Sequence, residues 1–92
     1  MAIGVIWNPP IDQQAYDAIS ERVFGSATEK GLRLHAAGEG DGAWRIIEVW
    51  DSREGLQRFI REDLAAAVEE VSGGQAPTPE PEVVFDIHNQ GP

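Results

Sequence analysis

The sequence predicts an α+β domain with the element order β-α-β-β-α-β, and three observations predict it. Two segments, 12–24 and 52–71, space their apolar residues by three and four, the period of a helix with one buried face. Four short runs rich in β-branched and aromatic side chains lie around and between them. The middle two runs are joined by Gly38-Glu39-Gly40-Asp41-Gly42, whose glycines supply the positive φ of a tight reversal.

In chain order, residues 2–7 read as a first strand, with Ile3, Val5, Ile6 and Trp7 in a short apolar run that Asn8-Pro9-Pro10 ends. Asp12 is placed to cap a helix whose stripe is Ala15, Tyr16, Ile19, Val23 and Phe24 and which Gly25 is expected to stop. Residues 32–37 alternate as a half-buried strand, and a hairpin centred on Gly40 and Asp41 leads into a third strand over 43–50. Asp51 with Glu54 forms the pattern of a capping box. The second helix follows, with Leu56, Phe59, Ile60, Leu64, Ala67, Val68 and Val71 on one stripe. Ser72-Gly73-Gly74 stops it, residues 75–81 form a proline-stiffened connector, residues 82–88 read as a last strand, and 89–92 form a tail expected to fray.

Right-handed crossovers on either side of a central hairpin give an antiparallel sheet in the order 4-1-3-2 with both helices on one face, a ferredoxin-like fold. Ninety-two residues hold one such domain, 1–92. Sixteen acidic against seven basic side chains, a net charge of -9, disfavour nucleic acid and anionic membrane surfaces as partners. No apolar stretch reaches the length of a membrane span and no leader pattern opens the chain, so a cytoplasmic protein is expected. The absence of cysteine excludes disulfides, thiol catalysis and thiolate metal sites. With no His-x-His pattern and its paired acids on a solvated helix face, the chain is expected to hold no metal, and no cofactor is expected. The hairpin glycines precede no helix, so they make a turn and not a phosphate loop.

The hairpin also sets the faces of the sheet. Centred on Gly40 and Asp41, it places Ala37 opposite Trp44, His35 opposite Ile46 and Arg33 opposite Glu48. One face then carries Arg33, His35, Ala37, Trp44, Ile46, Glu48 and Trp50. The other carries Leu32, Leu34, Ala36, Ala43, Ile47 and Val49 and is expected to pack on the helices, with Val83, Phe85 and Ile87 of the last strand. Val84, Asp86 and His88 join the first, mixed face. A face of tryptophans, histidines, an arginine and acids is too apolar for water and too polar for ordinary core. A homodimer is therefore expected, its two sheets facing each other around a cavity for a hydrophobic small molecule.

With Gly31-Leu32-Arg33-Leu34-His35, the glycine-rich hairpin before Trp44-Arg45, and Val49-Trp50-Asp51-Ser52 running into a helix that bears Phe59, the chain resembles the antibiotic biosynthesis monooxygenase-like family of dimeric α+β barrels. The likeness covers almost the whole chain and marks the fold better than the chemistry. It implies a cofactor-independent monooxygenase of aromatic or polyketide-like substrates, with Asn8 and Trp50 where oxygenases of this kind place an Asn and a Trp near the substrate. The haem-degrading branch needs a histidine on the second helix, and residues 52–71 contain none.

His35 is the candidate general base, or else a hydrogen-bonded interface histidine. Arg33 with Glu48 reads either as an anion clamp that steadies a developing enolate or as a plain cross-strand ion pair. Asn8 would position oxygen. Trp50 and Trp44, with Ile46 beside them, could shape a dry pocket around a flat ligand or pack a dimer interface. Asp86 and His88 could form an acid-oriented imidazole or be ordinary polar residues. Two further activities fit the same residues: a non-catalytic binding or accessory dimer, and an acid-base cyclase or isomerase.

Overall fold

A computed structural model describes residues 1–91. Six elements follow the expected order: β1 (Ile3–Trp7), α1 (Gln13–Glu29), β2 (Leu32–Gly40), β3 (Ala43–Trp50), α2 (53–72) and β4 (Val83–Asp86). The sheet runs β2-β3-β1-β4 with every neighbour antiparallel, the 4-1-3-2 order expected from the sequence. Among the described residues no helix is long and apolar enough to cross a membrane.

Asp12 caps α1, its Oδ1 accepting the Ala15 N–H at 2.8 Å. The helix does not stop at Gly25. A glycine inside a helix costs only about 1 kcal/mol, and the buried stripe continues past it from Val23 to Ala27, so α1 runs to Glu29. At the start of α2 the cap is Ser52 and not Asp51: Ser52 Oγ accepts the Gly55 N–H at 3.1 Å, and Asp51 turns outward to Arg33. Gly55 lies against the carbonyl oxygen of Lys30, where a Cβ would not fit, so the two helices approach closely there.

The hairpin turns on Asp41 (φ 55) and Gly42 (φ 77), one residue later than expected. Asp-Gly suits the two positive-φ positions of a type I′ turn better than Gly-Asp does, because its flexible residue stands second. The shift moves each pairing by two residues and keeps the parity of the faces: His35 lies opposite Glu48 and Ala37 opposite Ile46. A register shift at Arg33, between the Leu32↔Trp50 and Leu34↔Val49 pairs, lifts Arg33 out of the ladder. The expected Arg33–Glu48 pairing is therefore absent.

The two faces are exchanged relative to expectation, except at Leu32, which lies before the register shift and is buried in the core as expected. His35, Ile46, Glu48 and Trp50 point toward the helices, together with Ile3, Val5 and Trp7 of β1, and Trp50 is 0% exposed. Leu34, Ile47 (52% exposed), Val83 and Phe85 lie on the open face, while Val84 packs on the core. Counting apolar side chains on β2 and β3 misassigns the faces because both are apolar. What decides is β1, whose buried Ile3, Val5 and Trp7 are the register partners of Trp50, Glu48 and Ile46. Glu48 tolerates burial on that side because it is fully hydrogen-bonded there.

Helix α2 is α-helical over Arg53–Phe59, π-helical over Ile60–Leu64 and α-helical again over Ala65–Ser72. The Ala65 N–H reaches back five residues to the Ile60 carbonyl. This wide turn sets Phe59 and Leu64 on one side of the helix, both buried. Connector 73–82 returns to the sheet, where the Glu82 N–H donates to the Ile6 carbonyl at 2.8 Å. Strand β4 is four residues long, shorter than expected, and His88 follows it, exposed. Of the tail expected to fray, Pro92 lies outside the described residues.

Candidate functional site

The side chains that the sheet turns inward form a continuous hydrogen-bonded chain. Across the β2–β3 pair, His35 Nδ1 lies 2.6 Å from Glu48 Oε2. The other carboxylate oxygen, Oε1, accepts the indole N–H of Trp7 at 2.7 Å and that of Trp50 at 2.9 Å. From α1, Tyr16 brings its hydroxyl to 2.5 Å from His35 Nε2. Glu48 is thus a buried acid with three donors aimed at it, the condition under which a carboxylate persists in a protein interior.

The direction of the hydrogen bonds follows from that arrangement. An acceptor-only carboxylate requires His35 to donate from Nδ1, which leaves the Nε2 lone pair facing Tyr16. Burial pushes the Tyr16 hydroxyl above its usual 10.0, with the charges of Glu48 and Asp17 acting the same way and a hydrogen bond with Ser20 acting against them. Tyr16 therefore keeps its proton at neutral pH and donates it to Nε2. The chain runs Tyr16 to His35 to Glu48, the logic of a base fixed in one tautomer by an acid behind it.

Tyr16, His35 and Glu48 line a cavity of about 290 Å³ between sheet and helices. Trp7 and Ile46 face it from the sheet, Val23 and Phe24 from α1, Phe59 and Leu64 from α2, and Pro77 and Pro79 of the connector close a further side. Apart from Ser20 and Ser72 its walls are otherwise apolar, and no lysine or arginine lines it. Among the described residues no three His, Asp or Glu side chains gather to hold a metal ion.

The residues singled out from the sequence divide accordingly. His35, Glu48 and Ile46 come together at the cavity. Trp50 does not line it but sits beneath, against Phe59 with ring centroids 5.2 Å apart, holding Glu48. Trp44 packs against Tyr16 with ring centroids 5.1 Å apart and the ring planes tilted by 46°, and its buried indole N–H finds no partner among the described residues. Asn8 is exposed and absent from the lining, although Trp7 and Pro9 on either side belong to it. Arg33 lies outside the cavity, paired with Asp51 at 2.5 Å, and Asp86 lies on the surface, paired with Arg53 at 3.0 Å. His88 is exposed beyond the end of β4, and Asp86, which was to orient it, pairs with Arg53 instead. Sequence reasoning counted Tyr16 and Trp7 as packing residues only. Their polar tips were the available signal, since a phenol or indole on a buried stripe must find a partner.

A ferredoxin-like α+β domain with one titratable chain opening on an apolar chamber is the class that fold and site define. No protein-family model and no curated protein matches the sequence. Solved structures do. Rv0793 from Mycobacterium tuberculosis superposes with a TM-score of 0.63 at 16% identity over 100% of both chains. A Chloroflexus aurantiacus protein assigned as an antibiotic biosynthesis monooxygenase gives 0.57 at 19% identity, over 99% of this chain and 98% of the other. SnoaB from Streptomyces nogalater, a cofactor-independent oxygenase, gives 0.58 at 12% identity, over 99% of this chain and 95% of the other. The chain has the fold of the antibiotic biosynthesis monooxygenase-like proteins.

Proposed function

We propose that this chain is an oxygenase that works on an aromatic or polyketide-like substrate without a bound cofactor, with His35 as the general base. The observation that carries this reading is the Tyr16–His35–Glu48 chain opening on an apolar cavity, and the fold shared with SnoaB supports it. In the reaction His35 takes a proton from an activated CH₂ of the substrate by way of the Tyr16 hydroxyl, which passes its own proton to Nε2 as it receives the substrate's, leaving a carbanion delocalised as an enolate. That carbanion reduces dioxygen and forms a C–O bond, and the proton returns from His35 to give a hydroperoxide. Loss of water then leaves a carbonyl. One oxygen atom ends in the product and the other in water, and the two C–H bonds supply the electrons.

Glu48 stabilises the imidazolium while the carbanion exists, and the dry walls keep water from quenching it. Trp7 and Trp50 are positioning residues that hold Glu48. Asn8 and Arg33 carry no step. Purified protein freed of flavin, metal and haem should consume oxygen with a phenolic substrate that carries an activated CH₂. His35→Ala should lower the rate by about 10²–10⁴-fold, and Asn8→Ala should leave it unchanged. No uptake across a substrate panel overturns the oxygenase reading. Product formed equally well without oxygen would identify an acid-base isomerase instead, which the pairing of a hydroxyl donor with a base also suits.

The homodimer proposed with this function uses the open face. The strand positions on that side, Gly4, Ile6, Leu34, Ala36, Gly38, Gly40, Ala43, Arg45, Ile47, Val49, Val83 and Phe85, include none of the chain's acids. In a molecule of net charge -9, an acid-free apolar sheet face is the surface on which a second copy meets least repulsion.

A further inference from the structure

We propose that Tyr16 is a redox-active tyrosine, which gives one electron to an oxidised Trp44 while its proton crosses to His35 Nε2. The site is a sink for one-electron oxidants of the peroxyl-radical class that reach the protein from solvent. This inference rests on the geometry around Tyr16 and not on the oxygen chemistry proposed above. Three features of the cluster carry it.

The first is where an oxidant arrives. Of the three tryptophans, Trp7 is 4% exposed and Trp50 0%, whereas Trp44, next to the hairpin turn, is only half-buried. Solvent-borne oxidants therefore meet Trp44 first. Its ring packs directly against Tyr16, with centroids 5.1 Å apart, so an electron passes between them without an intervening group.

The second is the Trp44 N–H. An oxidised indole is acidic and ordinarily relaxes by giving its N–H proton to a neighbour. The Trp7 and Trp50 N–H groups face the Glu48 carboxylate, which could take it. The buried Trp44 N–H has no partner among the described residues. Its radical cation therefore keeps the proton and remains a strong oxidant.

The third is the base that waits for the Tyr16 proton. A phenol that loses an electron becomes very acidic, so its oxidation is easy only where an acceptor is already in place. His35 Nε2 lies 2.5 Å from the hydroxyl, and its lone pair is turned there because Nδ1 donates to Glu48. The imidazolium that forms is held by the Glu48 carboxylate. Ser20, a turn further along α1, hydrogen-bonds the Tyr16 oxygen and remains with it after the proton has left.

In the transfer the Tyr16 O–H bond breaks as the N–H bond at His35 Nε2 forms, and the electron fills the hole in Trp44. Trp44 is reduced to the neutral indole and Tyr16 is oxidised to a neutral phenoxyl radical. The positive charge moves from Trp44 to His35, and the external oxidant has taken the electron that Trp44 first lost.

The test is pulse radiolysis of the intact protein at neutral pH without oxygen, with the azidyl radical as the one-electron oxidant. Tyr16 is the only tyrosine, so a tyrosyl absorption band and its electron paramagnetic resonance signal belong to it alone. The tryptophanyl band should fall as the tyrosyl band rises, at a rate independent of protein concentration and slower in deuterium oxide. Trp44→Phe keeps a ring against Tyr16 and should remove most of the tyrosyl signal. His35→Ala, checked for folding by circular dichroism, should slow the transfer by about tenfold or more, the worth of one buried hydrogen bond to the migrating proton. No tyrosyl signal, a rate that grows with protein concentration, or equal rates in the two waters overturns the proposal. A tyrosyl signal that Trp44→Phe leaves unchanged does so too. The isotope comparison uses the wild-type protein, so it decides the matter even if His35→Ala does not fold.

Discussion

Glu48 shows how one side chain can fix the chemistry of another. Replaced by Gln, the residue can still accept both indole N–H groups on its amide oxygen, so its NH₂ must face His35 Nδ1. The imidazole is then driven to carry its proton on Nε2, and the lone pair that faces Tyr16 is lost. Glu48→Gln is therefore expected to remain folded by circular dichroism while oxygen uptake falls by roughly 10²–10⁴-fold, the cost of a correctly placed histidine in the wrong tautomer. Full activity in this variant would show that the tautomer does not matter. Tyr16 gives a second expectation. Its hydroxyl sits above 10.0 because of burial, so the folded protein holds this proton more tightly than the unfolded chain. Its contribution to stability is complete below pH 10.0 and is lost as pH rises through the higher folded value. Tyr16 is the only tyrosine, so an absorbance titration of phenolate reads it alone, and denaturation above pH 10 should cost the wild type more than Tyr16→Phe. At this scale the sequence showed that His35, Ile46 and Glu48 share a face, since strand parity survives an error of two in pairing. It did not show Tyr16, because helical spacing classes a phenol with the apolar stripe and says nothing of its oxygen.

Among the elements, α2 departs most from what its pattern suggests. The stripe from Leu56 to Val71 reads as an uninterrupted α-helix, yet Phe59 and Leu64 are both buried five residues apart, which would set them about 140° apart on an α-helix. That mismatch was the legible sign of the π turn, and it was visible only to someone who already knew that both residues face inward. The turn is tied to the end of α1 by Lys30, whose Nζ lies 2.7 Å from Asp63 and 3.8 Å from Glu62. The Lys30 and Asp63 side chains are largely out of water, so the pair is not an ordinary surface contact. Lys30→Met should destabilise the protein by about 1–3 kcal/mol in urea titration, because Asp63 keeps its desolvation and loses its partner. Adding Asp63→Leu should recover much of that loss, as replacing both members of a buried pair commonly does. If the double variant is no more stable than the single one, the pair is not what holds the turn. The hairpin was legible to within one residue for a related reason: turn chemistry fixes which dipeptide bends, and Asp41-Gly42 outcompetes Gly40-Asp41 once positive φ is required at both positions.

For the whole molecule, element order and sheet order followed from the sequence alone because crossover handedness and a short hairpin leave little choice. Which face of the sheet the helices cover did not, since both faces are apolar and only the pairing with β1 distinguishes them. The consequence is an exchange of roles. The mixed face expected between two subunits is the interior of one, so a single chain already forms its cavity, and the apolar face expected in the core is left open. With Ile47 half-exposed at its centre beside Leu34, Val83 and Phe85, that surface is a large apolar patch in an otherwise acidic molecule, and such patches mark interfaces. Native mass spectrometry of the protein at micromolar concentration should therefore give twice the mass of one chain. Ile47→Glu should give one chain, because a charge brought to a twofold interface meets its own copy and costs both partners desolvation. The cavity lies between the sheet and helices of one chain, so the monomeric variant should keep the oxygen uptake of the wild type. Loss of uptake on dissociation would instead mean that a partner completes the chamber, and a monomeric wild type would leave the open face without the occupant proposed for it.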